Sequence, residues 1–113
     1  MNEPAANPPE PIFSDLLATD PDLIDIVEEF VGGLAVRIAE LRKAFGEQDW
    51  AQLTTLAHRL KGAGGSYGYP QISGVAGTLE TQFKMHSAQD FETWMIQLSR
   101  FATAAHAGLS AKS

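Results

Sequence analysis

Residues 49–70, DWAQLTTLAHRLKGAGGSYGYP, show where one helix begins, where it meets a turn and where the next helix begins. Asp49 is a residue type that caps helix N-termini, and Pro70 suits the first position of a helix, where no N–H is needed. Apolar residues recur between them with helical spacing: Trp50, Leu53, Leu56, Ala57 and Leu60. The stretch therefore predicts two consecutive helices joined by the glycine-rich residues 62–68.

A longer amphipathic segment precedes this stretch. Asp20-Pro21 is a helix start signal, and the apolar residues that follow it are three and four positions apart: Leu23, Val27, Phe30, Leu34, Ile38, Leu41 and Phe45. This pattern predicts one long helix, which Gly32-Gly33 weakens by up to about 1 kcal/mol per glycine and which Gly46 ends. Residues 14–18 predict a short turn or helix before it.

Two amphipathic segments make up the C-terminal part of the chain. Pro70 begins a helix whose apolar residues are Ile72, Val75, Ala76, Leu79 and Phe83. Ser87 followed by Asp90 resembles a capping box and predicts the start of the last helix. That helix carries Phe91, Trp94, Met95, Leu98, Ala102 and Ala105.

These segments predict the fold class, because no stretch alternates with the period of a β-strand over a useful length. Four amphipathic helices with short connections predict an all-α fold, an antiparallel up-and-down four-helix bundle with a short additional N-terminal helix or turn. We expect the bundle to span residues 13–108. A flexible proline-rich tail, residues 1–12, precedes it, and a frayed C-terminus, residues 109–113, follows it.

Composition limits the possible functions. The chain has 113 residues, with 14 Asp+Glu against 8 Lys+Arg and a formal net charge of −6, so neither nucleic acid nor an anionic membrane is an expected partner. The absence of cysteine excludes disulfides and thiolate catalysis. The chain shows no secretory signal and no apolar run long enough to span a membrane, so we expect a cytoplasmic protein.

Several catalytic and metal-binding motifs are absent. There is no phosphate-binding loop, the glycines of residues 62–68 do not follow a strand, and there is no His-Glu-x-x-His motif. No autonomous kinase activity is therefore expected. The three histidines, His58, His86 and His106, lack the i+3 or i+4 spacing of paired ligands, so no metal site is expected.

His58 stands out among the histidines because of its neighbours. At about 100° per residue it lies about 140° from Leu53, away from the apolar face of its helix. Gly62 and Gly65 leave its ring accessible, and Lys61 can neutralise a negative charge held there. Neutral imidazole is a nucleophile near neutral pH, so the group fits phosphoryl acceptance. The alternative is that the glycines only end the helix and that His58 and Lys61 are ordinary surface residues.

Residues 56–68 resemble the signature of the histidine-containing phosphotransfer (HPt) domain family, Ala-His-x-Leu-Lys-Gly followed by small residues and a later glycine. Asp49-Trp50 and Leu79-Glu80 agree with the family pattern, and the resemblance covers the chain from about Ser14 to about Ala107. It implies a four-helix bundle that carries phosphoryl groups in two-component phosphorelays. The implied partners are response-regulator receiver domains and histidine kinases, including hybrid kinases.

The resemblance also implies roles for particular residues. His58 would be phosphorylated at Nε2, Lys61 would help to hold the phosphoryl oxygens, and Gly62 would leave room for the receiver's active site. The implied docking face also includes Arg59, Gly65 and Tyr67. The chain would bind no cofactor, because Mg²⁺ would come with the acidic cluster of the receiver.

Glu80 lies twenty-two residues after His58, on the next predicted helix. The HPt domains of chemotaxis histidine kinases are similar here, and they place a glutamate at this offset. It accepts a hydrogen bond from Nδ1 of the histidine, which would fix the tautomer and leave Nε2 free to attack. The alternative is a surface carboxylate paired with Lys61 or Lys84.

A second function, from a different class, stays open at this stage. The bundle could be an adaptor that docks on receivers or other signalling proteins without carrying phosphate, although the presence of His58 favours the carrier. The chain could also be a piece of a larger hybrid or chemotaxis kinase. We expect a monomer, while the sequence leaves a dimer open.

Overall fold

A computed structural model describes residues 10–110 of the chain. Within that range the chain folds into six α-helices and one short 3-10 helix, without a strand. The elements are α1 (Asp15–Thr19), the 3-10 helix (Pro21–Leu23), α2 (Ile24–Gly32), α3 (Leu34–Gly46), α4 (Trp50–Ser66), α5 (Pro70–Lys84) and α6 (Phe91–Ser110). The predicted all-α fold class is confirmed.

The four longest helices contact one another in a closed ring. Helix α3 contacts α4, α4 contacts α5, α5 contacts α6, and α6 contacts α3; α2 also contacts α6. The side chains that point into the ring are the apolar stripes of the sequence, and the largest of those that are fully buried are Val27, Val31, Leu41, Leu53, Leu60, Tyr69, Ile72, Leu79, Phe83 and Met95. Burying one such aliphatic or phenylalanine side chain stabilises the fold by about 1.5–3 kcal/mol.

Several helix boundaries lie where the sequence predicts them. Asp49 caps α4 by accepting a hydrogen bond from the Gln52 N–H at 3.1 Å. Pro70 occupies the first turn of α5. Helix α3 ends at Gly46. The predicted short N-terminal helix is α1, which Ser14 caps by accepting from the Leu17 N–H at 3.2 Å.

The predicted long first helix is wrong in one respect, because it is broken at Gly33 into α2 and α3. The Gly33 N–H is shared between the carbonyls of Glu29 and Phe30, both at 3.1 Å. A pair of glycines has low helix propensity and is a common place for a helix to kink. The apolar stripe nevertheless continues across the break and is buried from Val27 to Leu41, although Phe45 at its end is 36% exposed.

Two predicted caps are also wrong. Asp20 makes no side-chain capping bond, because it ends α1 and precedes a 3-10 helix instead of a regular first turn. Ser87 and Asp90 do not form a capping box, because α6 begins only at Phe91. Asp90 has a φ of 60°, which belongs to a turn and not to the first turn of a helix.

Both ends of the described chain contact the bundle. Ile12, the last residue of the predicted tail, donates its N–H to the Ala104 carbonyl at 3.1 Å and packs against the core. Helix α6 continues to Ser110, and Leu109 packs against the core, so the helix extends beyond the predicted domain end at residue 108. Residues 1–9 of the predicted tail and residues 111–113 of the predicted frayed end lie outside the described residues.

Helices α4 and α5 form a tight hairpin. Gly68 turns the chain with a φ of 88°, in the left-handed region that favours glycine. At Gly64 the backbones of the two helices come together, because a Cβ placed there would lie only 3.0 Å from the Ser73 nitrogen and 3.3 Å from Ile72 Cγ2. Gly64 therefore permits an approach that a side chain would obstruct.

This contact predicts different effects for two glycine substitutions in α4. Gly64→Ala forces a Cβ against the backbone of α5, whereas Gly62→Ala places it in open space. Both substitutions gain helix propensity, which should stabilise Gly62→Ala by about 0.5–1 kcal/mol. Urea unfolding should show Gly64→Ala to be less stable than Gly62→Ala by about 1–3 kcal/mol. Equal stability of the two variants would contradict the close approach.

Candidate functional site

His58 lies on the outer surface of α4. Its side chain is 70% exposed, although Ala57 and Leu60 on either side of it are buried in the core. The ring therefore projects from the part of the helix that turns away from the bundle, as the helical wheel predicts. Solvent or another protein can reach it.

Glu80, on α5, contacts the ring from the bundle side. Its Oε2 lies 3.0 Å from Nδ1 of His58, while its side chain is only 9% exposed. An ionised carboxylate only accepts hydrogen bonds, so it favours the tautomer in which Nδ1 carries the proton. In that tautomer Nε2 keeps its lone pair. Glu80 is therefore not a surface carboxylate, because its side chain is buried. It does contact both Lys61 and Lys84, the lysines that this alternative names.

Two lysines contact the same carboxylate. Lys61 Nζ lies 3.5 Å from Oε1 of Glu80, and Lys84 Nζ lies 3.4 Å from Oε2. Both lysine side chains are exposed. Both act on Glu80 as positive charges, and Lys61 and Lys84 also donate long hydrogen bonds to it.

The surroundings of Glu80 have opposing effects on its pKa. Burial is the largest single effect and raises the pKa, because it disfavours the charged form. Hydrogen bonding with His58 and Lys84, together with the charges of Lys84 and Lys61, outweighs it and lowers the pKa from its ordinary value. Glu80 is therefore ionised at neutral pH despite its burial.

Two small residues on α5 help to place Lys61. Ser73 Oγ donates to the Lys61 carbonyl at 2.8 Å. The aliphatic stem of Lys61 lies over Gly77, where a Cβ would be 3.5 Å from the lysine Cδ. Neither residue is among the site residues predicted from the sequence. The available signal was the spacing of Ser73, Gly77 and Glu80, which puts them on one face of α5 next to the apolar stripe.

The glycines of α4 do not end the helix, because it continues to Ser66. Gly62 is exposed, and a Cβ there would have no neighbour within 4 Å. Gly65 is also exposed but borders α5, since a Cβ there would lie 3.6 Å from Ser73 Oγ. Gly62 is thus the position that leaves open surface one helical turn from His58.

The structure separates the other two residues of the predicted docking face. Arg59 is exposed on α4 next to His58. Tyr67 follows the end of α4, nine residues on, which is about 13 Å along a helix axis. Its ring stacks on Phe30 of α2, with 5.0 Å between the ring centroids.

The remaining histidines lie away from this site. His86 stacks on Trp50, with ring centroids 5.4 Å apart, and His106 lines a groove between α6 and the α2–α3 segment. Among residues 10–110, no three histidine, aspartate or glutamate side chains are grouped so that they could hold a metal ion. No helix in the same range is long and apolar enough to cross a membrane.

The lowered pKa of Glu80 predicts a pH-dependent contribution to stability. A carboxylate with a depressed folded-state pKa stabilises the fold above its unfolded pKa, and this contribution disappears as the pH falls through the folded value. Glu80→Gln should therefore be less stable than the wild type at about pH 7, and the difference should shrink towards about pH 3. Thermal unfolding across this range measures it.

The control for this measurement is Glu47→Gln, which removes a carboxylate from an exposed pair with Lys43 on α3. An exposed ion pair of this kind contributes little to stability, so this variant should differ little from the wild type. A stability difference between wild type and Glu80→Gln that stays constant with pH would contradict the described charge state of Glu80.

Comparison with known proteins identifies a family that covers the part of the chain that holds this site. A family model described as Hpt domain matches residues 25–108, which covers most of the chain and includes every residue of the His58 site. Neither a curated protein nor a solved structure matches the chain significantly. Hpt domains are helical bundles with a phosphotransfer role in two-component signalling, a role that involves receiver domains and histidine kinases. The chain belongs to the Hpt domain family.

Proposed function

We propose that this protein is a phosphoryl carrier of a two-component phosphorelay and that His58 is the residue that carries the group. It exchanges the group with receiver-domain aspartates or receives it from a histidine kinase. The observation that supports this most directly is the contact between Nδ1 of the exposed His58 and the buried, ionised Glu80. The contact holds the ring in the tautomer that a nucleophile needs.

The transfer step follows from this tautomer. The Nε2 lone pair of His58 attacks the phosphorus atom of an aspartyl phosphate, and an N–P bond forms as the P–O bond to the aspartate breaks. The aspartate carboxylate leaves with the electron pair. Because Nδ1 keeps its proton, the ring gains positive charge during the transfer, which the Glu80 carboxylate stabilises. The reverse step breaks the N–P bond and returns the lone pair to Nε2.

Most of the remaining catalytic requirement falls on the partner. Phosphoryl transfer depends on positioning and on neutralising the oxygens of the group in flight. Lys61 supplies one positive charge from this chain, and the receiver supplies Mg²⁺ with its acidic cluster. The carrier needs neither a cofactor nor kinase activity of its own, because the donor already holds an activated phosphoryl group.

We also propose the topology of the bundle, its cellular location and its oligomeric state. The kinked α2–α3 segment counts as one helix, and with α4, α5 and α6 it forms an antiparallel four-helix bundle. Contacts between α4 and α5 support this, since Gly65 meets Ser73 while His58, earlier on α4, meets Glu80, later on α5. The carrier works as a cytoplasmic monomer.

The first test is phosphate uptake at His58. The purified protein is exposed to a small phosphoramidate donor and its intact mass is measured. The wild type should gain one phosphoryl group that is labile in acid and stable in alkali, whereas His58→Gln should gain none. His106→Gln is the matched control and should take up phosphate like the wild type.

Circular dichroism verifies that each variant is folded. Uptake by folded His58→Gln would contradict the proposal. Absence of uptake by the folded wild type, with several donors, would favour the non-carrying adaptor.

The second test concerns the open surface at Gly62. Gly62→Leu places a large side chain one turn from His58 without crowding this chain, since a Cβ there has no neighbour within 4 Å. It should retain uptake from the small donor but lose most of the uptake from a phosphorylated receiver, because only the receiver must dock. Gly62→Ala is the control for helix propensity. Unchanged transfer between Gly62→Leu and the receiver would show that the receiver approaches from another side.

A further inference from the structure

The charges around Glu80 do not balance. One carboxylate contacts two lysine ammonium groups, Lys61 and Lys84. One lysine is enough to neutralise the carboxylate, so the cluster holds one positive charge in excess. This arises in a chain whose formal net charge is −6.

The two lysines are not equivalent in position. Lys61 shares α4 with His58, one turn further on, and contacts Oε1 of Glu80, the oxygen that His58 does not use. Lys84 comes from α5, four residues after Glu80, and contacts Oε2, the oxygen that also accepts from His58. Lys61 can therefore leave Glu80 without disturbing the oxygen that holds the ring, whereas Lys84 acts on that oxygen directly.

We propose, on the basis of the proposed function, that Lys84 is a positioning residue that stays with Glu80 while Lys61 turns to the phosphoryl group on Nε2 of His58. Lys84 acts through Glu80 and does not touch the transferred group. The site thus has one cation for the resident carboxylate and one for the arriving phosphoryl group. The excess positive charge of the unphosphorylated site is the charge of Lys61, which neutralises the phosphoryl oxygens when the group arrives.

A physical reason supports this division of roles. With a single lysine, the buried carboxylate and the phosphoryl oxygens would compete for the same ammonium group. A carboxylate left without a cation in a buried site is costly, so it would retain the lysine or take up a proton. In either case the transfer would lose one stabilising charge. Lys84 removes the competition because its Nζ already lies 3.4 Å from Oε2.

The test uses Lys84→Met, which removes the charge and keeps the stem of an exposed side chain, together with Lys84→Arg. The rate of phosphoryl uptake at His58 from phosphoramidate is measured for each. Lys84→Met should be slower than the wild type by about three- to tenfold, and Lys84→Arg should recover most of the rate. In a titration followed by ¹³C NMR of the carboxyl group, Lys84→Met should also raise the pKa of Glu80.

Two double-variant comparisons distinguish this proposal from direct contact between Lys84 and the phosphoryl group and from independent roles of the two lysines. Lys84→Met should have little effect in a Glu80→Gln background, because Lys84 acts through that carboxylate. Lys61→Met should slow uptake less in a Lys84→Met background than in the wild type, because Lys61 is then already engaged by Glu80. Non-additive effects of both kinds support the proposal.

Three results would overturn it. Lys84→Met at the wild-type rate would show that the lysine has no role in transfer. Equal slowing by Lys84→Met with and without Glu80 would mean direct contact between Lys84 and the phosphoryl group. Additive effects of Lys61→Met and Lys84→Met would refute the proposal that Lys61 turns from Glu80 to the phosphoryl group while Lys84 stays with Glu80. In each case the wild type still takes up phosphate, whereas failure of the proposed function removes uptake from the wild type itself.

Discussion

The close approach of α4 and α5 is the constraint on which the rest of the site depends. At Gly64 the two helix backbones are near enough that a single Cβ would press on the Ser73 nitrogen. This distance decides whether a glutamate on α5 can reach a histidine on the outer surface of α4. A larger residue at Gly64 would force the helices to shift, and the 3.0 Å contact between Glu80 and His58 depends on their separation.

The site combines an exposed nucleophile with a buried restraint. The His58 ring is mostly in solvent, where a partner can reach it, but its Nδ1 faces a carboxylate that is almost fully covered. If the His58 ring were only exposed, no protein group would select its tautomer. If the ring were buried, a partner could not reach it. The lysines serve both sides, since they keep Glu80 charged and make the surface around His58 locally basic in an acidic protein. Under the proposed function, a surface of this kind would be complementary to the acidic cluster of the receiver.

Local signals in the sequence were sufficient for some parts of the structure and not for others. Asp49 and Pro70 mark helix starts because capping and the missing proline N–H act within one turn. The capping box predicted at Ser87 is wrong because such a box also depends on the backbone conformation of the preceding turn, which the residue pattern does not determine. The wheel placed His58 correctly on the surface, whereas the sequence left open whether Glu80 is a surface carboxylate. The burial of Glu80 depends on the distance between α4 and α5. Gly64 permits their close approach, and no pattern within a single helix predicts that distance.

The central claim is that Glu80 fixes the proton of His58 on Nδ1 and leaves Nε2 as the nucleophile. The most direct measurement is a long-range ¹H–¹⁵N correlation spectrum of the His58 ring in the unphosphorylated protein, at a pH where the ring is neutral. The account predicts a protonated Nδ1 and an unprotonated Nε2, with this preference lost in Glu80→Ala. A ring that carries its proton on Nε2, or that divides equally between the two tautomers, would contradict it.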